Sequence, residues 1–127
     1  MRKMLTLGFL LVAGCRTMSG MEEEASSTDG DVRSYPMTPG KALELAKVVL
    51  KEQGADDFKE GGGYVIGSFY LNLVTPGSYC GVYVKETPAG CDVRVLSRRK
   101  AAVSIFTGLT ESGFHTAFSE KLRVAQK

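Results

Sequence analysis

The pattern of hydrophobic and polar positions divides the chain into three parts. Residues 4–13 form a largely apolar run, and residues 16–37 are rich in small and acidic side chains without any apolar period. From Thr38 onward, apolar residues recur with helical spacing, then with strand spacing, and then with helical spacing again. This order predicts one domain of helices and strands over residues 38–127.

The first helix of this domain is predicted to begin after Thr38. Threonine is a favoured N-cap residue, and Pro39 then occupies the first helical position. Gly54 suits the position that follows a helix end. The apolar residues between these limits form one stripe at spacings of three and four, made of Ala42, Leu45, Ala46, Val49 and Leu50.

Three segments between the helices alternate as half-buried strands do: 64–74, 79–85 and 91–96. Pro76-Gly77 and residues 87–90 have the composition of turns between antiparallel strands. Alternation predicts that one face of this meander points to the core, with Val65, Phe69, Leu71, Leu73, Cys80, Val82, Val84, Cys91, Val93 and Val95.

The second helix is expected from about Thr110, and residues 56–63, with three consecutive glycines, are expected to be a loop. Residues 101–106 are either a short fourth strand or an irregular connection. The stripe of the second helix consists of Phe114, Ala117, Phe118, Leu122 and Ala125. We therefore expect an α+β two-layer sandwich: helix, antiparallel meander of three to four strands, helix, with both helices on one sheet face.

The first fifteen residues have the features of an export signal. Arg2 and Lys3 precede the apolar run, and its ten residues are too few for a bilayer-spanning helix, which needs about 20. Val12-Ala13-Gly14-Cys15 resembles the lipobox of bacterial lipoproteins. The resemblance implies that diacylglycerol is added to the Cys15 sulfur, that the signal peptide 1–14 is removed, and that the new amino group is acylated. The alternative is a secretory signal with an incidental cysteine.

Residues 15–37 are predicted to be a lipidated flexible tether, because so few apolar groups cannot offset the entropy of ordering. Glu22-Glu23-Glu24 fits a solvated linker better than a signal for surface export. By resemblance, Arg16 after the lipidated cysteine favours the outer membrane, facing the periplasm. The layout resembles small bacterial envelope lipoproteins that carry one α+β domain.

Cys80 and Cys91 are a candidate disulfide, since exported proteins meet an oxidising environment. If Val84 lies opposite Cys91, however, the two cysteines are four strand positions apart, about 13 Å, and a disulfide requires Cα atoms within about 7 Å. Direct opposition of the cysteines would bring Pro88 into the strand pairing. The sequence leaves both possibilities open.

Little else in the sequence suggests catalysis, a metal or a cofactor. The single histidine, His115, is expected at the surface because it lies beside the apolar stripe, and no motif supplies a nucleophile around it. Two cysteines without a nearby histidine do not predict a metal site. A net charge of +2 does not indicate nucleic-acid binding.

The best candidate binding surface is the sheet face opposite the helices. Tyr70, Tyr79 and Tyr83 share it with Arg94, although tyrosine is also simply favoured in strands. A basic cluster follows in the sequence, Arg98, Arg99 and Lys100, which either binds anionic groups or solvates the strand end.

The sequence thus favours a membrane-anchored, non-enzymatic envelope module over an enzyme. Its expected partners are the membrane, through the lipid on Cys15, and an envelope protein or a cell-wall polymer. Binding of a small ligand between helices and sheet, or an enzyme acting on the cell wall, are the alternatives.

Overall fold

The computed structural model describes residues 18–69, 77–99 and 109–125. The signal peptide, Cys15, Tyr70, Lys100 and the candidate fourth strand 101–106 lie outside these ranges. The described elements are α1 (Met18–Glu23) with a 3-10 turn (Glu24–Ser26), β1 (Asp31–Tyr35), α2 (Pro39–Glu52), β2 (Asp57–Gly61), β3 (Tyr64–Phe69), β4 (Ser78–Thr87), β5 (Gly90–Arg99) and α3 (Glu111–Ala125).

The predicted α+β class is confirmed. All strand pairs are antiparallel, and the sheet order is β1-β5-β4-β3-β2. The long helices α2 and α3 pack on one face of the sheet and form the main core with it. The described sheet has five strands rather than three to four, and α1 lies on its opposite face.

Helix α2 begins and ends as its sequence predicts. The Thr38 hydroxyl accepts a hydrogen bond from the Lys41 amide at 3.4 Å, and Pro39 is the first helical residue. Gly54 follows the helix with φ +110°, a conformation that glycine adopts without a steric penalty. The predicted stripe faces the sheet, with four of its members buried: Ala42, Ala46, Val49 and Leu50.

The strand faces also agree with the alternation in the sequence, as far as the structure describes them. The core on the α2–α3 side includes Val65, Phe69, Cys80, Val82, Cys91, Val93 and Val95. Residues 56–63, however, are not only a loop: β2 pairs with β3 around a turn at Gly62–Gly63. The loop prediction is wrong over 57–61 because β2 is a mostly exposed edge strand, whose polar residues show no alternation.

The predicted flexible tether is wrong over residues 18–35. Strand β1 pairs with β5 along all of its length, from Asp31 opposite Val95 to Tyr35 opposite Cys91. Met21 of α1 has no exposed surface. We call residues 18–29 the N-terminal segment. This segment and β1 are held by backbone hydrogen bonds and a few side chains. Such contacts require no periodic apolar pattern, so the sequence does not show one here.

Gly30 connects the N-terminal segment to β1 in a conformation that requires glycine. Its φ is +109°, and a Cβ atom there would lie 2.3 Å from the carbonyl oxygen of Val95. The connection therefore allows β1 to lie close beside β5 only because residue 30 has no side chain.

We predict that Gly30→Ala lowers the free energy of unfolding by about 2 kcal/mol or more, because the backbone and Val95 must both shift. Gly40→Ala is the matched control, since within the described ranges no atom beyond its own helical turn lies within 4 Å of its Cβ position in α2. That variant should be neutral or more stable by up to about 1 kcal/mol. Urea unfolding measures both, and equal stability of the two variants would contradict the prediction.

Candidate functional site

The candidate surface is the sheet face that carries α1, which we call the α1 face. Tyr79 lies opposite Arg98 and Tyr83 opposite Arg94, so these four residues share the face that the sequence predicted for the tyrosines and Arg94. The side chain of Arg99 lies outside what the structure describes, as do Tyr70 and Lys100. Arg98 extends the same row toward the end of β5.

The sequence suggested that this face is open, but in the structure the N-terminal segment covers its centre. Tyr83 is 5% exposed and Arg94 is 9% exposed, because the N-terminal segment lies across them. Met21 completes a second apolar cluster with Ile66, Tyr83 and Leu96. The prediction of an exposed aromatic and basic surface is therefore wrong at its centre, for the same reason that the tether prediction is wrong.

Arg94 holds the N-terminal segment on the sheet. Its guanidinium carbon lies 4.3 Å from the centre of the Tyr83 ring, within cation–π range. One nitrogen donates to the Asp29 carbonyl oxygen at 2.8 Å, and the other donates to that of Glu24 at 2.7 Å. The Glu24 carbonyl also accepts from the Ser27 amide at 2.9 Å, so the arginine adds a second donor to that oxygen and ties the turn to the Asp29 carbonyl.

Two tyrosine hydroxyls add to this contact. Tyr83 donates a hydrogen bond to the carbonyl oxygen of Met21, and Tyr64 donates one to the Glu22 carboxylate at 2.6 Å. Burial raises the pKa of Tyr83 well above its ordinary value, and the hydrogen bond to Glu22 raises the pKa of Tyr64. Both hydroxyls therefore remain protonated donors at neutral pH.

Arg98, the described member of the predicted basic cluster, is half-buried and engaged within the fold. It lies 3.7 Å from the Glu111 carboxylate and 4.0 Å from that of Asp29. It also donates a hydrogen bond to the carbonyl oxygen of Ser97. Arg98 thus links the N-terminal segment to the start of α3, and its charge is partly balanced inside the domain.

A cleft of about 440 Å³ remains open beside Arg94. Residues 25–28 line one side, the Gly62–Gly63 turn lines another, and Lys85 and Asp92 lie opposite each other across β4 and β5. Hydroxyls, peptide groups and an exposed ammonium suit a polar ligand. The Asp92 carboxylate accepts a hydrogen bond from Ser34 at 2.6 Å, which fixes its position.

The candidate disulfide is not present. Cys80 pairs with Ser97 and Cys91 pairs with Glu86, so the cysteines are six strand positions apart, about 20 Å. The two-residue turn at Pro88–Ala89 sets this register. Both cysteines are free and buried, and burial raises the pKa of Cys80 to about 12. Such thiols are poor nucleophiles.

His115 is fully buried, so its expected surface position is wrong. Its Nε2 lies 2.9 Å from the Asp31 carbonyl oxygen, which can only accept, and therefore carries the proton. Its Nδ1 then accepts from the Tyr35 hydroxyl at 2.7 Å. Sequence reasoning missed this contact because Tyr35 lies in the segment predicted to be a tether. The neutral ring joins α3 to the edge strand β1.

No protein-family model, curated protein or solved structure matches the chain. Within the described ranges, no group of histidine, cysteine and acidic side chains could hold a metal ion. None of the described helices is long and apolar enough to cross a membrane.

Removing the Arg94 side chain should loosen the N-terminal segment without unfolding the core. We expect Arg94→Met to speed amide hydrogen exchange in residues 18–29 about tenfold or more, since charged hydrogen bonds contribute about 1.5–3 kcal/mol each. Arg33→Met is the control, because exposed Arg33 forms its described ion pair with Asp31 of the same strand, which lies outside the N-terminal segment. Unchanged exchange in Arg94→Met would show that Arg94 does not hold the segment.

His115 should make stability depend on pH. Burial lowers its pKa in the folded state below the ordinary 6.5, so the unfolded chain binds the proton more readily. The free energy of unfolding is therefore expected to be highest above pH 6.5 and to fall as the pH drops below it. Urea unfolding from about pH 7 to 5 tests this. His115→Gln should flatten the decline, and an equal slope in both proteins would refute the assignment.

Proposed function

We propose that the chain is a lipid-anchored bacterial envelope protein whose α+β domain works by non-enzymatic contact with a protein or cell-wall polymer. The observation that carries the proposal is the sequence Val12-Ala13-Gly14-Cys15 after a cationic and short apolar start. Several acyl chains, at about 0.8 kcal/mol per buried methylene, would hold the domain firmly on a leaflet. Arg16 favours the outer membrane, with the domain in the periplasm.

The geometry of the domain supports a contact role over catalysis. The residues best suited to acid–base work or anion binding are used within the fold: His115 bonds Tyr35 and Asp31, and Arg94 bonds backbone carbonyls. The free cysteines fit an exported domain because neither thiol is exposed. These groups therefore stabilise the fold and are not directed at a substrate.

A second candidate function is the binding of a small polar ligand. The cleft beside Arg94 favours it, because its volume and its hydroxyl, peptide and Lys85 groups fit a compact polar molecule. The two candidate functions concern the same domain and the same proposed anchor.

Lipidation is tested by growing a bacterial host with labelled palmitate. We expect the intact chain to be labelled and to fractionate with membranes, and we expect Cys15→Ser to lose the label. Cys91→Ala is the control that retains it, because Cys91 is buried in the domain. Label that persists in Cys15→Ser, or that never enters the intact chain, would disprove the anchor.

A further inference from the structure

We propose that the anchor holds the α1 face toward the lipid leaflet, so that α2 and α3 face away from it. The inference rests on the proposed lipidation of Cys15. It adds to that proposal a defined orientation, in which a lipid surface is the partner of one particular face of the domain.

The connection between lipid and fold is very short. Consecutive Cα atoms are 3.8 Å apart, so the Cα atoms of Cys15 and Met18 are separated by at most about 11 Å. A tether over 15–37, as the sequence suggested, would instead extend to roughly 75 Å. Because Met18 is already part of α1 and packs against the second apolar cluster, the anchor is attached almost directly to the α1 face.

The connection does not lengthen easily, because the N-terminal segment is fixed at several points. Met21 is fully buried, and its carbonyl oxygen accepts from Tyr83. Farther along, the Asp29 carbonyl accepts from Arg94. Detaching the segment as far as Gly30 would expose Met21 to water and would replace the carbonyl hydrogen bonds of Arg94 with hydrogen bonds to water, so both the apolar burial and the charge-assisted bonds would be lost.

The two faces of the sheet lie at different heights under this constraint. A helix layer is about 10 Å thick, and layers pack about 10 Å apart, so the outer surface of α2 and α3 lies about 20 Å beyond the α1 face. Lys59 lies opposite Ile66, a member of the second apolar cluster, and therefore marks the α1 face, the side near the leaflet. Val124 of α3, 62% exposed, marks the far side.

Charge does not explain this orientation, because the exposed charges of the α1 face are mixed. Glu23 and Asp29 accompany Lys59 and Lys85, all of them exposed. The short covalent connection is therefore the orienting element. Since covalent length does not depend on ionic strength, the orientation should be unchanged in high salt, unlike an electrostatic attachment.

The test is energy transfer from the protein to labelled lipids. The full-length lipidated protein, carrying Lys59→Cys or Val124→Cys, is labelled with a donor dye and inserted into phosphatidylcholine vesicles that contain an acceptor-labelled headgroup. Cys80 and Cys91 are buried and should not react in the folded protein. We expect transfer from position 59 to be about twofold or more higher than from position 124, at low and high salt alike.

A linker variant and a mass measurement separate the possible failures. Twenty glycine and serine residues inserted between Arg16 and Thr17 should bring the two positions to similar transfer. Equal transfer from both positions in the acylated protein without the insertion, or a difference that disappears in high salt, would overturn the orientation alone. Absence of acyl groups on Cys15 by mass spectrometry would overturn the orientation and the proposed function together.

Discussion

The contact between Arg94 and the N-terminal segment is the interaction on which the arrangement of the domain depends. The Arg94 guanidinium is 9% exposed beneath the N-terminal segment, and at that depth it needs hydrogen-bond acceptors from the protein. The carbonyl oxygens of Glu24 and Asp29 accept hydrogen bonds from the guanidinium, and the Tyr83 ring makes a cation–π contact with it. The N-terminal segment therefore buries the arginine, and the arginine holds the segment on the sheet. In this way a polar stretch of sequence becomes part of the fold.

The sequence predicted the parts of the fold that bury apolar side chains at regular intervals. Helix α2 and the inward faces of β3, β4 and β5 follow directly from such periods, as the burial of Val49, Val82 and Val93 shows. Strands β1 and β2 were missed because they are sheet edges held by backbone hydrogen bonds, which any polar residue can make. Helix α1 was missed because one methionine, Met21, carries most of its burial.

The candidate site shows the same limit. Alternation placed Tyr79, Tyr83 and Arg94 on one face, but it could not show that a segment about 65 residues earlier covers that face. His115 is a similar case, because its partner Tyr35 is 80 residues away. The disulfide prediction depended on the register between β4 and β5. The two-residue turn places Cys91 opposite Glu86, two positions from the assumed pairing with Val84. In each case the structure depends on a contact between segments that are distant in the sequence. Local patterns of apolar and polar residues carry no information about such contacts.

Under the proposed orientation, the α1 face is turned toward the leaflet; it is covered at its centre and open at the cleft beside Arg94. On this face, Tyr64, Tyr83 and Arg94 form hydrogen bonds within the fold, and the exposed charges are mixed. The far side has a groove of its own, of about 610 Å³, which lies between α2 and α3 beside Leu45, Val48 and Leu122. Val48 is 44% exposed there, although α2 is otherwise well packed. Both sides expose an apolar side chain, since Val32 on the α1 face is 49% exposed, so under the proposed orientation it is the groove on the far side that is free to meet a partner.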